Sequence, residues 1–184
     1  VSTLISASPV MVYAGQELGE NAHEAEGFSG FDGRTTIFDY WKVETLCRLQ
    51  SSDYRLQIGE NVIFDLYRRL LSIANREVVA EGKFYDLMWL NQGNQQFDSS
   101  RQYAFVRYTD KEALFVVANF ADEERDVRVN LTHHLFEAMG CEAFGKVVAT
   151  DLMTDVATEL NFSAEEPVQL TLKPYQVCVY RIGL

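Results

Sequence analysis

Hydrophobic periodicity changes once along this chain, at Gly82, and the halves on either side cannot belong to one class of secondary structure. Before Gly82, the residues Ile63, Leu66, Tyr67, Leu70, Leu71 and Ala74 recur at spacings of three and four. They therefore share one face of a helix expected from about Glu60 to Asn75. Arg68, Arg69 and Arg76 load its C-terminal half, where the helix dipole favours cations. After Gly82 the period is two, clearest in Asp126–Leu131 and Gln169–Leu172. Strands are expected over Lys83–Leu90, Gln102–Thr109, Ala113–Phe120, Asp126–Leu131, Lys146–Leu152, Val168–Leu172 and Gln176–Ile182. Tyr108–Glu112 reads as a hairpin turn, and Asn91–Ser100 as a solvated loop. Thr132 is placed to cap a short helix, His133–Met139, that Gly140 ends. Short strands with tight connections argue an antiparallel β-sandwich of roughly 100 residues.

The other half reads differently. Val1–Ala7 looks like the last turns of a helix, with Pro9 forcing an exit. Val10–Tyr13 is an unbroken apolar run, the mark of a strand covered on both faces as in a parallel sheet. It stops at Ala14-Gly15-Gln16-Glu17. A long loop follows that mixes Glu17, Glu20, Glu24, Glu26, Asp32 and Asp39 with Phe28, Phe31, Phe38, Tyr40 and Trp41. Val43–Leu49 is expected to be a short helix. Strand, loop and amphipathic helix form one βα unit, and a buried strand emptying into carboxylates and aromatics is how a (β/α)8 barrel supplies its active face. The fold class expected is thus α+β in two parts: a barrel remnant over 1–80 and an antiparallel sandwich over 81–184. Val1 opens in mid-pattern, so the chain is expected to start partway through a longer protein.

Composition narrows the chemistry. Lys and Arg number 16 against 27 Asp and Glu, a net charge of -11 that repels phosphate backbones and disfavours nucleic acid. No apolar stretch approaches the ~18 residues of a membrane span. Cys47, Cys141 and Cys178 are too far apart for metal or redox spacing, so free thiols are expected. His133 and His134 are adjacent, point about 100° apart on a helix, and read as surface residues. The loop acids lack the regular spacing of a calcium loop, and no metal site is assigned to them. Aromatic rings beside carboxylates suit a carbohydrate, whose C–H faces stack while its hydroxyls bond to acids. Tyr103, Phe105, Tyr108, Tyr175 and Tyr180 are either a glycan-binding patch or core and cross-strand pairs.

At this point the chain resembles the α-amylase family of glycoside hydrolases, family 13. Its eighth barrel strand carries G-x-P-x-x-Y-x-G-x-E, and Tyr13, Gly15 and Glu17 match the last three marked positions. Ser8 and Val10 depart from the first two, with Pro9 shifted by one. Gly33–Trp41, GRTTIFDYW, is similar to the segment after that strand in bacterial members. Leu66–Ile73 resembles the eighth helix. Ala113–Phe120 and Pro174–Ile182 resemble two strands of the C-terminal sandwich. These segments occur in family order across nearly the whole chain.

The resemblance implies a retaining mechanism on α-linked glucans, with an Asp nucleophile, a Glu acid/base and a stabilising Asp on barrel strands four, five and seven. All three strands precede the residues present here, so no catalytic residue is expected in this chain, which alone should be inactive. The parent's partner would be an α-glucan such as starch. No cofactor is expected here, with calcium assigned to the full-length parent. Substrate contacts are assigned to Tyr13, Glu17, Phe28, Arg34, Tyr40 and Trp41. Glu17 faces a sugar cleft or bonds loop amides, and Phe28, Phe31, Tyr40 and Trp41 stack on sugar or anchor the loop. The rival reading is a non-catalytic carbohydrate-binding or interaction sandwich. An orphaned strand at Val10–Tyr13 would also favour a homodimer.

Overall fold

The computed structural model describes residues 1–13, 15–19, 62–142 and 144–184. The chain divides into two compact units, Pro9–Leu71 and a larger one formed by Val1–Ser8 with Ser72–Leu184. Described elements before the sheets are α1 (Ser2–Ile5), a 3-10 turn (Gln16–Leu18), α2 (Val62–Ala74) and α3 (Glu77–Ala80). Helix α2 lies where the spacing of three and four puts it, and Asp65 bonds Arg68 and Arg69 one turn later. Its most buried residue is Ile73, outside the expected apolar face, whereas Ile63 and Leu66 are exposed. The helix expected at Val43–Leu49 lies outside the described residues.

Val10–Tyr13 does not form the strand expected of it. No ladder includes these residues, and Val10 and Met11 are 44% and 88% exposed. An apolar run supplies the side chains for a buried strand but not the neighbours. Among the described residues no strand runs beside it to make a ladder, and of its four residues only Val12 is half-buried.

The strands are β1 (Lys83–Asp86), β2 (Gln102–Tyr108), β3 (Glu112–Asn119), β4 (Arg125–Val129), β5 (Gly145–Asp151), β6 (Val156–Phe162), β7 (Val168–Leu172) and β8 (Val177–Gly183). Two short helices interrupt them, α4 (Met88–Asn91) and α5 (His133–Met139). A six-stranded sheet has the order β1-β2-β3-β8-β5-β6, and β4 pairs with β7 in a second sheet. All pairings are antiparallel. One apolar core takes residues from both sheets and from α5. Phe162 sits at its aromatic centre, with ring centroids 5.7 Å from Phe115 and 5.6 Å from Phe136.

Two sequence expectations need revision here. Lys83–Leu90 is not one strand, because Asp86 Oδ1 accepts from the Met88 amide and turns the chain into α4. Val156–Phe162 is an additional strand at the sheet edge, where only Leu160 and Phe162 are buried. The cap of α5 follows expectation: the Thr132 side chain accepts from Leu135 N, and Gly140 closes the helix with φ 74°.

Phe105, Leu114, Val116 and Val179 alternate with core residues and are buried as well. Burial of both faces explains why β2 and β3 read as continuous apolar runs rather than alternating ones. Helix α3 packs on β2 and β3. Arg107, itself buried, donates to Val79 O at 2.5 Å and Gly82 O at 2.7 Å, and so ties the end of α3 to β2. Gly82 is needed at that joint, since a Cβ there would lie 2.2 Å from Val78 O and 2.8 Å from Tyr108 O. Arg76 and Arg181 both bond Glu112, at 2.8 and 2.7 Å.

Candidate functional site

Two of the expected substrate contacts, Tyr13 and Glu17, lie on one tight turn. Gly15 and Gly19 flank it with φ 87° and 74°, left-handed values that cost an L side chain but not glycine. Gln16 N donates to Tyr13 O at 3.0 Å, and Tyr13 N to Gln16 Oε1 at 3.2 Å. The turn buries Leu18 and holds Glu17 in its middle. Glu17 Oε2 is buried with no hydrogen-bond partner. A buried acceptor without a donor costs about 1–3 kcal/mol, which a hydroxyl or a cation placed against it would relieve. The spacing Tyr-x-Gly-x-Glu thus encodes a turn entered through a left-handed glycine, with the Tyr13 ring before it partly exposed and one Glu17 oxygen buried within it.

The other expected contacts, Phe28, Arg34, Tyr40 and Trp41, lie outside the described residues, as do Glu20, Glu24, Glu26, Asp32, Asp39 and Cys47. Among the described residues, no group of three or more His, Cys, Asp or Glu could hold a metal. His133 sits 3.0 Å from Glu165, while His134 Nδ1 lies 2.9 Å from the Tyr85 hydroxyl, so the adjacent histidines serve different partners. Cys141 and Cys178 are free thiols, and burial pushes Cys178 up to about 11. That thiol is a packing group rather than a nucleophile. No described helix is long and apolar enough to cross a membrane.

The aromatic strand residues divide cleanly. Phe105, Tyr108 and Tyr180 are buried, and Tyr103 is half-buried against Phe105 at 6.0 Å. Burial raises the Tyr180 hydroxyl well above its usual range. Of the five, only Tyr175 stands free of the sheet. Sequence reading missed the likewise exposed Phe120 and the residue that ties the two turns, Asn119. An Asn-Phe pair ending an apolar strand and a Pro-Tyr pair opening the next are the local signals. Which turn meets which is decided by strand order.

Neither a protein-family model nor a curated protein sequence matches the chain. Solved structures do. The maltogenic α-amylase AmyB of Thermotoga neapolitana superposes with a TM-score of 0.52 at 14% identity, over 68% of this chain and 26% of that one. An Anoxybacillus α-amylase gives 0.45 at 15% identity, over 67% and 23%. A MutB variant in complex with sucrose gives 0.43 at 21% identity, over 78% and 20%. This chain spans about a quarter or less of the length of each. The likeness of fold rests on AmyB. In fold, this chain is similar to part of an α-amylase-type enzyme.

Proposed function

We propose that this chain is the C-terminal portion of an α-amylase-type glycoside hydrolase: the last βα unit of the catalytic barrel and the antiparallel domain that follows it. The observation that carries this reading is a combination. A domain with the fold likeness to AmyB follows, in one chain, the Tyr13-Gly15-Glu17 turn, the GRTTIFDYW segment and helix α2. The parent acts on α-1,4-glucans by a retaining mechanism, which needs two carboxyls about 5 Å apart, one of them held protonated. This chain supplies contacts rather than chemistry. Glu17 Oε2, lacking a donor, suits a sugar hydroxyl, and Tyr13, Phe28, Arg34, Tyr40 and Trp41 are proposed beside it. Any calcium belongs to the parent, and pairing of two chains through Val10–Tyr13 remains part of the proposal.

Turnover of a chromogenic maltoheptaoside tests it. The 184-residue chain should show none, and the longer protein that contains it should show turnover with retention of configuration. Turnover by the chain alone that survives repurification and disappears in Glu17→Gln would count against the reading. So would a longer protein inert on every α-glucan.

A further inference from the structure

A cleft of 340 Å³ opens between α3, the hairpin that joins β2 to β3, and the last turn of α5. Three carboxylates line it. Glu77 and Glu81 stand one helical turn apart at α3, a spacing at which like charges repel, and Asp110 adds a third from the hairpin. Glu77 is paired with Lys111, whose Nζ lies 3.2 Å away. Asp110 and Glu81 also act on that ammonium and help raise its pKa, so all three carboxylates act on one region. The Glu81 and Asp110 carboxylates themselves have no ion pair or side-chain hydrogen bond among the described residues. Lys83 is the one cation among the lining residues, and it too is unpaired.

Tyr108 supplies an independent sign of a ligand. It lines the cleft, packs in the core and is only 7% exposed, yet its hydroxyl bonds nothing among the described residues. Tyr85, from the adjacent strand and in the same core, shows the usual arrangement: its hydroxyl meets Thr132 Oγ1 at 3.1 Å and His134 Nδ1 at 2.9 Å. A tyrosine hydroxyl in so enclosed a place normally finds a partner, and leaving it without one is costly. Burial holds the Tyr108 hydroxyl above its ordinary pKa, so it is neutral at neutral pH and free to accept from a cationic N–H. Ala138 and Met139, from the last turn of α5, give the cleft an apolar wall.

We propose that this cleft binds a linear alkyl diamine or polyamine, with its ammonium groups against Glu81, Asp110 and the Tyr108 hydroxyl and its hydrocarbon on Ala138 and Met139. The volume falls within the ~300–1,000 Å³ of small-molecule sites. Among the described residues no three acids converge closely enough to hold a metal ion. Carboxylates that share a cleft without sharing a point suit a cation whose charges are spaced along a chain. An anion is repelled by the same groups.

Titration of the whole chain with cadaverine, a five-carbon diamine, followed by amide NMR shifts, tests the site. Shifts should saturate and stay within Glu77–Lys83, Tyr108–Asp110 and Ala138–Met139. Calcium chloride, pentanediol and maltotriose should leave those amides in place. Tyr108→Phe should weaken binding roughly tenfold, the loss of one hydrogen bond to a charged group, and should leave Tm unchanged because the hydroxyl has no partner to lose. Glu81→Gln and Asp110→Asn should each weaken it by roughly two- to fivefold, as exposed charges do. Lys83→Ala should strengthen it. Shifts that never saturate or scatter over the acidic surface, an equal response to calcium or maltotriose, or undiminished affinity in Tyr108→Phe overturns the proposal. If Tyr108→Phe lowers Tm, Lys83→Ala decides, since it removes only an exposed side chain, and an affinity that fails to rise is then fatal.

Discussion

Asn119 offers a sharp test of how the turns after β3 and before β8 are held. Its side chain makes three hydrogen bonds to backbone groups of two different loops and is 1% exposed. Replacement by alanine leaves the Glu123 and Lys173 carbonyls and the Ala121 amide without that partner. At about 1 kcal/mol net per bond, the expected loss is about 3 kcal/mol of unfolding free energy. For a cooperative unit of this size that corresponds to a fall in Tm of roughly 10 °C. Asn119→Asp separates hydrogen bonding from shape. The introduced carboxylate keeps an acceptor for Ala121 N but faces two carbonyl oxygens, so at neutral pH it should cost more than alanine. Burial and those carbonyls disfavour its charged form, raising its folded pKa above the unfolded ~3.9. Stability of this variant should therefore recover as pH falls through the raised value, while the alanine variant shows no such recovery. Urea unfolding at a series of pH values measures both. A loss below about 1 kcal/mol for alanine, or an aspartate variant that is the milder of the two at pH 7, would refute the reasoning.

Three further perturbations follow from the packing. Burial pushes the Glu112 carboxyl up, but hydrogen bonds from Arg76 and Arg181 outweigh it and hold the group below its usual range. Its stabilisation is therefore full above the unfolded pKa and lost as pH falls through the folded one. Glu112→Gln should cost about 1 kcal/mol at pH 7, the arginines being partly exposed, and should flatten the acid limb of a stability–pH curve. Gly82→Ala forces a Cβ against two backbone oxygens, at 2.2 and 2.8 Å, and should cost several kcal/mol or prevent folding, as read by thermal melting. A segment covering 72–184 should unfold cooperatively, whereas 83–184 lacks Arg76, buried Val78 and Val79, and the Val79 carbonyl that Arg107 uses. At about 1.5–3 kcal/mol for each buried valine, the shorter segment should be weaker by at least about 3 kcal/mol in urea; equal midpoints would show that α3 is dispensable.

Elements whose causes are local were legible in the sequence. Thr132 and Gly140 bracket α5 because a cap and a left-handed stop act within one turn. Helix α2 was legible because its apolar spacing survives any context. Misreadings came where a distant partner decides. Val156–Phe162 carries little apolar signal, and it is a strand because β5 pairs with it along its whole length. Val10–Tyr13 has the apolar signal and no such partner among the described residues. Lys83–Leu90 looked continuous because the aspartate that turns the chain sits within an apolar run. At the candidate site, glycines marked the Tyr13–Glu17 turn. The Asn119 junction joins residues more than fifty positions apart, and no local pattern announces it.

The place of β8 has a consequence for how the domain comes into being. This strand is the last of the eight described, yet it lies inside the six-stranded sheet between β3 and β5. Until residues 177–183 emerge, the growing chain can pair β1 with β2 and β3, and β5 with β6, but cannot join the two sets. Each set then presents an open edge, on β3 and on β5, of the kind that recruits foreign strands. Closure must wait for contacts distant in sequence, which slows folding and prolongs that exposure. A chain cut before Val177 would carry most of the hydrophobic core and two sticky margins. Its fate should be aggregation rather than a slightly weakened version of the same domain.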